Sequence, residues 1–312
     1  MKRTTKRLIG AGALLVGLLA SALPAGPVSA SATPDAPSTS DVVPLVVGGR
    51  NASEPYPGMA SIQWTRNGDP YWNSCGATLI HPRFLLTNAH CGWDLTGAAP
   101  VPLDPANLRV RIGSHDRTSG GFVSPVAEFL IHSEWDWGAG DDRVADIALV
   151  RLPNPVPVQP YRLATSETGT ATNIGRILGW GSITPDRNNP VYPEILQELD
   201  VRVLPNQDCE MGGLPISEGE ICFDSPGGAG VCYGDSGGPG LRRAHGEWRV
   251  LGGASRETSA ACGVSPTIYT SAVYYRDWID EVIRTGVVPP RANSATAGTP
   301  SSADLHRWLA GV

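Results

Sequence analysis

Ser236 stands among glycines in the run Gly234-Asp235-Ser236-Gly237-Gly238. Glycines around a serine permit tight backbone angles and leave the hydroxyl open. A serine hydroxyl becomes a nucleophile only beside a base, and the base needs an orienting carboxylate. Two other stretches offer these groups. His90 ends the apolar run Leu85-Leu86-Thr87-Asn88-Ala89 and precedes Cys91. Asp146 leads Ile147-Ala148-Leu149-Val150, where burying a carboxylate without partners is costly. Singly, each has an ordinary reading: a glycine-rich turn, a strand-end histidine, an acid at the head of a strand. Together, in the order His, Asp, Ser, they match a nucleophilic triad.

Three residues so far apart in the chain must be brought together by the fold. The chain has 312 residues, 41% apolar and 17% charged, enough for a large core. Its 37 glycines and 28 prolines punctuate short apolar stretches. These stretches are Ala60–Trp64, Ala77–Ile80, Phe84–Thr87, Leu108–Ile112, Ile147–Leu152, Arg176–Trp180, Leu199–Leu204, Trp248–Gly252 and Thr267–Thr270. Many short strands with frequent turns predict an antiparallel sandwich or barrel. Near the end, Val273, Trp278, Ile279 and Ile283 fit one helical face, and Pro289-Pro290 stops the pattern. No internal repeat is evident.

The N-terminus has a different texture. Lys2, Arg3, Lys6 and Arg7 precede an apolar run from Leu8 to Leu19. Small-residue sites follow at Ala20-Ser21-Ala22, Val28-Ser29-Ala30 and Ala30-Ser31-Ala32. This is the layout of a secretory signal, and the run is too short to span a bilayer. We expect a signal over residues 1–32, a Pro/Ser/Thr-rich pro-segment over 33–45 and a secreted, extracellular product. A small, polar tail occupies residues 287–312. Lys2 and Lys6 are the only lysines; after residue 45 there are 20 arginines against 28 acids, a net charge near −8. That balance gives no reason to expect nucleic-acid binding. The Arg-for-Lys and Ala/Gly/Pro bias fits a GC-rich, bacterial genome. Export permits disulfides among the six cysteines, and neither a Cys-x-x-Cys pair nor a helical histidine pair points to zinc.

From Val46 to about Ile283 the sequence resembles the chymotrypsin/trypsin-like serine proteases. Val46-Val47-Gly48-Gly49 resembles the family's activated N-terminus. Cys75-Gly76-Ala77-Thr78-Leu79-Ile80 through Ala89-His90-Cys91 resembles its histidine region. Asp146-Ile147-Ala148-Leu149, Gly179-Trp180-Gly181, Gly234–Pro239 and Tyr274–Ile283 fall in the family's order. The resemblance implies an all-β fold of two antiparallel six-stranded β-barrels with a C-terminal helix, in a domain spanning 46–286. It implies catalysis by His90, Asp146 and Ser236, with Ser255 bonding the aspartate. The backbone N–H groups of Gly234 and Ser236 form the implied oxyanion hole. It implies the disulfides Cys75–Cys91, Cys209–Cys222 and Cys232–Cys262.

It also implies a zymogen: cleavage of Leu45–Val46, by an activating protease or by self-cleavage, frees the Val46 amine to pair with Asp235. The specificity pocket is implied at Gly230, Val231, Ser255, Glu257 and Thr267. Gly230 replaces the acid of trypsin-like members. Glu257 and Thr267 stand where relatives have glycine, narrowing the pocket toward small or medium aliphatic residues, as in elastase-like members. Glu257 is expected as a solvated rim residue; a carboxylate inside the pocket would instead favour a basic substrate. Arg256 stands where an aromatic is usual. No cofactor or metal is expected: the segment Ser114-His115-Asp116 lacks spaced acids for calcium, and Asp136, Asp141 and Asp142 read as a solvated loop. The expected partners are protein or peptide substrates, with no membrane contact after signal removal and a monomeric state.

Two other readings compete. The serine run also fits the Gly-x-Ser-x-Gly elbow of α/β-hydrolases, whose order is Ser, Asp/Glu, His. Only His245 and His306 follow Ser236, and alternating helices are absent. A non-enzymatic binding protein on the same fold is the other; the intact triad argues against it.

Overall fold

The computed structural model describes residues 46–95, 100–135, 145–167, 173–186, 188–210, 216–257, 259 and 261–291. The signal, the pro-segment, the tail from residue 292 and the acids Asp136, Asp141 and Asp142 lie outside the described residues.

Strands dominate. The first half carries β1 (Arg50–Asn51), β2 (Met59–Arg66), β3 (Asp69–His81), β4 (Phe84–Thr87), the short ribbon β5 (Trp93–Asp94) and β6 (Val101–Pro102), then β7 (Arg109–Ile112), β8 (Phe122–Pro125), β9 (Glu128–Ile131) and β10 (Ala148–Arg151). The second half carries β11 (Arg162–Leu163), β12 (Ile174–Gly179), β13 (Gln197–Leu204), the short helix α1 (Asn206–Glu210), β14 (Glu220–Phe223), β15 (Pro239–Ala244), β16 (Glu247–Glu257), β17 (Thr267–Ser271) and α2 (Arg276–Thr285).

The halves differ in closure. In the second, the order β13-β12-β15-β16-β17-β14 returns to β13 and closes a six-stranded barrel, with β1 and β11 attached outside. In the first, β8-β7-β2-β3-β4-β10-β9 is an open seven-stranded sheet among the described residues. The fold is mostly β, as expected, with a closed six-stranded barrel in the second half and a half-barrel in the first among the described residues. Among the described residues β8 pairs with β7 and β9 with β10, and these two strands are the ends of the sheet.

Each half has its own apolar core. Ile62, Leu79, Leu85, Val110 and Val150 fill the first, and Ile177, Val201, Phe223, Leu251 and Tyr269 the second. Full burial of one such side chain contributes about 1.5–3 kcal/mol. A third cluster includes Met59, Leu149, Trp180 and Leu241 and draws on both halves. Helix α2 joins it through the fully buried Ile279 and Val282. Val273 precedes this helix, which ends at Gly286 (φ 73°), before the prolines.

Candidate active site

Strand pairing places His90 next to Asp146. β4 and β10 run antiparallel with Thr87 opposite Ala148. His90 follows β4 in a 3-10 turn, Ala89–Gly92, and Asp146 precedes β10, so both emerge at the same end of the pair. His90 Nδ1 lies 2.8 Å from Asp146 Oδ2, and the His90 backbone N–H donates to Asp146 Oδ1 at 3.0 Å. The Ser255 hydroxyl and the Asn88 amide donate to Oδ2 at 2.6 Å and 3.1 Å. Burial alone would raise the Asp146 carboxyl. Facing His90 and accepting these bonds, it is instead held below the ordinary carboxylate range.

Ser236 comes from the second half. Asp235 N–H donates to Cys232 O at 2.9 Å and Gly238 N–H to Asp235 O at 2.9 Å, winding the segment into consecutive turns. Gly234 has φ +95°, a conformation that L side chains rarely adopt. Gly76 N–H donates to Ser236 O at 2.8 Å and ties β3 of the first half to the serine segment. His90, Ser236 and Gly234 line one cavity of about 170 Å³, together with Asn73, Trp93 and Tyr192. Among the described residues, the N–H groups of Gly234 and Ser236 donate to no protein acceptor. A roomier cavity, about 1030 Å³, lies among Arg162, Arg242, Arg249 and Arg276 and is lined by none of these groups.

Asp235 points away from the cavity. Its carboxylate accepts from Gly181 N–H and Cys232 N–H, each at 2.8 Å. A Cβ on Gly179 or Gly181 would lie 1.9 Å or 2.4 Å from that carboxyl group, which explains both glycines of Gly179-Trp180-Gly181. Burial pushes the Asp235 carboxyl up to about 7 despite these bonds, and no cation pairs with it among the described residues. Val46 is buried in the cluster that holds Ile177 and Val231, and Val47 O accepts from Gly230 N–H at 2.9 Å. In the continuous chain the Val46 nitrogen is a peptide amide and carries no charge.

A pocket of about 20 Å³ opens beside Ser236, lined by Val231, Ser255, Glu257 and Thr267 among others. Gly230 is buried but does not line it. Glu257 is only 7% exposed, which corrects its reading as a solvated rim residue. Burial pushes its carboxyl up to about 8, against the hydrogen bond from Gly263 N–H and with repulsion from Asp235. Arg256 is also buried and forms a two-pronged ion pair with Glu220.

The six cysteines form Cys75–Cys91, Cys209–Cys222 and Cys232–Cys262. In a chain-entropy account each contributes on the order of 3 kcal/mol. Cys75, His90 and Cys91 sit close enough together to resemble a metal site, but the disulfide occupies both sulfurs.

Sequence reasoning passes over a further group. Ser61 Oγ donates to Asn73 Oδ1 at 2.6 Å, and Asn73 Nδ2 donates to Gly234 O at 2.8 Å. Asn73 and Gly234 are 161 residues apart, and nothing local to Asn73 marks it. Glu220 is likewise legible only through its contact with Arg256.

Comparison with known proteins identifies the family. The trypsin family model matches residues 46–279. A tryptase from Mus musculus is 30% identical over 254 residues, covering 76% of this chain and 88% of its own. Brachyurin from Leptuca pugilator is 31% identical over 223 residues, covering 69% and 89%. Both are animal proteins and lend no support to the bacterial source suggested by composition. A cavity shared by Ser236 and His90, with the buried Asp146 behind the imidazole, on a family match that spans most of the chain, makes this protein a member of the trypsin family and a serine endopeptidase.

Proposed function

We propose that this chain is a secreted endopeptidase, made as a zymogen and acting through His90, Asp146 and Ser236. The observation that carries the reading is the buried 2.8 Å contact between Asp146 Oδ2 and His90 Nδ1, beside a cavity that His90 shares with Ser236. Ser236 Oγ attacks the peptide carbonyl while His90 takes its proton. His90 then gives that proton to the leaving amine as the C–N bond breaks, leaving an acyl-enzyme. Water, deprotonated by His90, releases the acid and restores Ser236. Asp146 holds the imidazole tautomer and supports its positive charge. The N–H groups of Gly234 and Ser236 receive the oxyanion.

The precursor carries a signal (1–32) and a pro-segment (33–45) ahead of the catalytic domain (46–286) and the tail (287–312). Cleavage before Val46 creates an amine that pairs with Asp235, whose buried carboxylate accepts from the backbone N–H groups of Gly181 and Cys232 in the continuous chain. The mature enzyme works as an extracellular monomer. Its small pocket, lined by Val231 and Thr267, supports cleavage after small or medium aliphatic residues.

The test uses the secreted, processed protein. Ser236→Ala should lower kcat by about 10⁶, the scale of losing the nucleophile in a serine hydrolase, and abolish labelling by a fluorophosphonate probe. Residual peptidase activity close to the parent's would refute the assignment.

A further inference from the structure

Three arginines stand in one row away from the catalytic residues. Register places Arg162 of β11 opposite Arg249 of β16, and Arg249 opposite Arg242 of β15. Neighbouring strands lie about 4.8 Å apart, so like charges in such a row repel. Arg276, the first residue of α2, adds a fourth guanidinium, and all four line the cavity of about 1030 Å³. None of His90, Asp146 and Ser236 lines it.

The protein neutralises this row only in part. Arg249 pairs with Glu247 at 2.7 Å, and Arg243, also in the lining, pairs with Glu54. Among the described residues, Arg162, Arg242 and Arg276 form no ion pair. Arg276 donates to Ala164 O, and Arg242 to Ser166 O, Glu167 O and Asn173 Oδ1, all neutral acceptors. The Glu167 carboxylate acts on Arg242 through space but takes its hydrogen bond from the Ser271 hydroxyl. Arg242 is only 5% exposed, and its Nε–H has no acceptor. A buried guanidinium held by neutral acceptors is costly until an anion joins it. Asp280 is the acid of the lining, so the unpaired arginines outnumber it three to one. This stands against the charge near −8 of the chain after residue 45.

The remaining wall narrows the choice of anion. Ile80, Leu163, Ile279 and Ile283 also line the cavity. Guanidinium forks hold carboxylates by two parallel bonds, and the apolar wall suits aliphatic side chains. A sulfated sugar would bring the charge without the aliphatic groups. The volume lies at the upper end of ligand cavities, which run to about 1,000 Å³, and admits several residues of a peptide. We propose that this cavity is a second binding site, for an acidic peptide segment whose carboxylates meet Arg162, Arg242 and Arg276 and whose aliphatic side chains rest on the isoleucines. The proposal does not depend on the triad assignment.

Fluorescence anisotropy of a labelled hexapeptide of alternating glutamate and leucine tests it. The processed protein is first blocked with a fluorophosphonate so that the probe is not cleaved. A protein that resists the block bears on the triad assignment and leaves the binding result readable. The counterpart peptide of glutamine and leucine should bind at least about tenfold more weakly, and so should the glutamate peptide to the double variant Arg162→Gln, Arg276→Gln. Arg162→Gln alone, at an exposed position, should cost about threefold, which keeps the test readable if the double variant fails to fold. Raising the ionic strength from about 0.05 to about 0.5 M should weaken the parent complex severalfold. Arg202→Gln, exposed and outside the cavity, should bind like the parent. Unblocked, the cavity variants should keep the parent's kcat/KM on a short neutral peptide, which shows the fold intact. Equal binding of the two peptides, undiminished binding to both cavity variants, or binding of a heparin hexasaccharide without binding of the glutamate peptide would overturn the proposal.

Discussion

The side-chain amide of Asn73 holds the carbonyl oxygen of Gly234 at 2.8 Å, and the Ser61 hydroxyl fixes that amide by donating to its oxygen. Gly234 supplies one of the two proposed oxyanion donors, so this bond steadies the segment where negative charge develops. Asn73→Ala should lower kcat about tenfold with little change in KM, because the lost support matters most in the transition state. Steady-state kinetics on a small peptide substrate would check it; a rise in KM alone would place Asn73 in substrate binding instead.

Ser255 is the shortest donor to Asp146 and one cause of its lowered carboxyl. Removing the hydroxyl should raise that carboxyl. Asp146 is useful only as the anion, so the acid limb of the activity profile should move to higher pH in Ser255→Ala. A charge-assisted bond of this type supports a loss of about tenfold in kcat at neutral pH. An acid limb identical to the parent's would show that Asn88 and His90 suffice to hold the charge.

Asp235 ties pH to stability in the uncleaved chain. Its carboxyl is raised to about 7 in the fold, against roughly 3.9 for an unfolded aspartate. A raised carboxyl retains its proton in the folded state longer than in the unfolded state. Its contribution is thus full below about pH 4 and is lost as pH rises to about 7. A Leu45→Pro precursor, in which cleavage is blocked, should be inactive and should lose Tm across that window. Adding Asp235→Asn should flatten the loss. Equal slopes in the two precursors, measured by thermal melts from pH 4 to 8, would argue against the link. Full activity of the Leu45→Pro protein would argue against the zymogen.

The ion pair between Arg256 and Glu220 is buried on both sides. Removing one partner strands a charge in a low-dielectric site. Glu220→Ala should therefore destabilise the protein by about 3 kcal/mol or more, whereas Glu220→Leu combined with Arg256→Leu should recover most of that loss. Urea unfolding of the three proteins would check this, and a single variant as stable as the parent would contradict it.

All nine apolar stretches read from the sequence coincide with strands, because each carries the apolar run or alternation that a buried strand needs. β8, β9, β14 and β15 escape such a reading. Pro239-Gly240-Leu241-Arg242-Arg243-Ala244 has neither alternation nor β-branched residues, and becomes a strand only because β12 and β16 flank it. Whether a sheet closes is equally invisible. It depends on whether terminal strands meet, as β13 and β14 do and β8 and β9 do not.

For the site, chain chemistry alone determined which residues could act: a serine freed by glycines, a histidine and an aspartate beside apolar strands, and six cysteines able to brace them. Those are properties of residue type and local spacing. The tertiary structure decided the rest: that Asn73 reaches Gly234, that Arg256 turns to Glu220, and that Glu257 enters the pocket instead of the solvent. Each depends on groups brought together by strand register or loop packing, and the cost of burying a charge is set by what surrounds it in space.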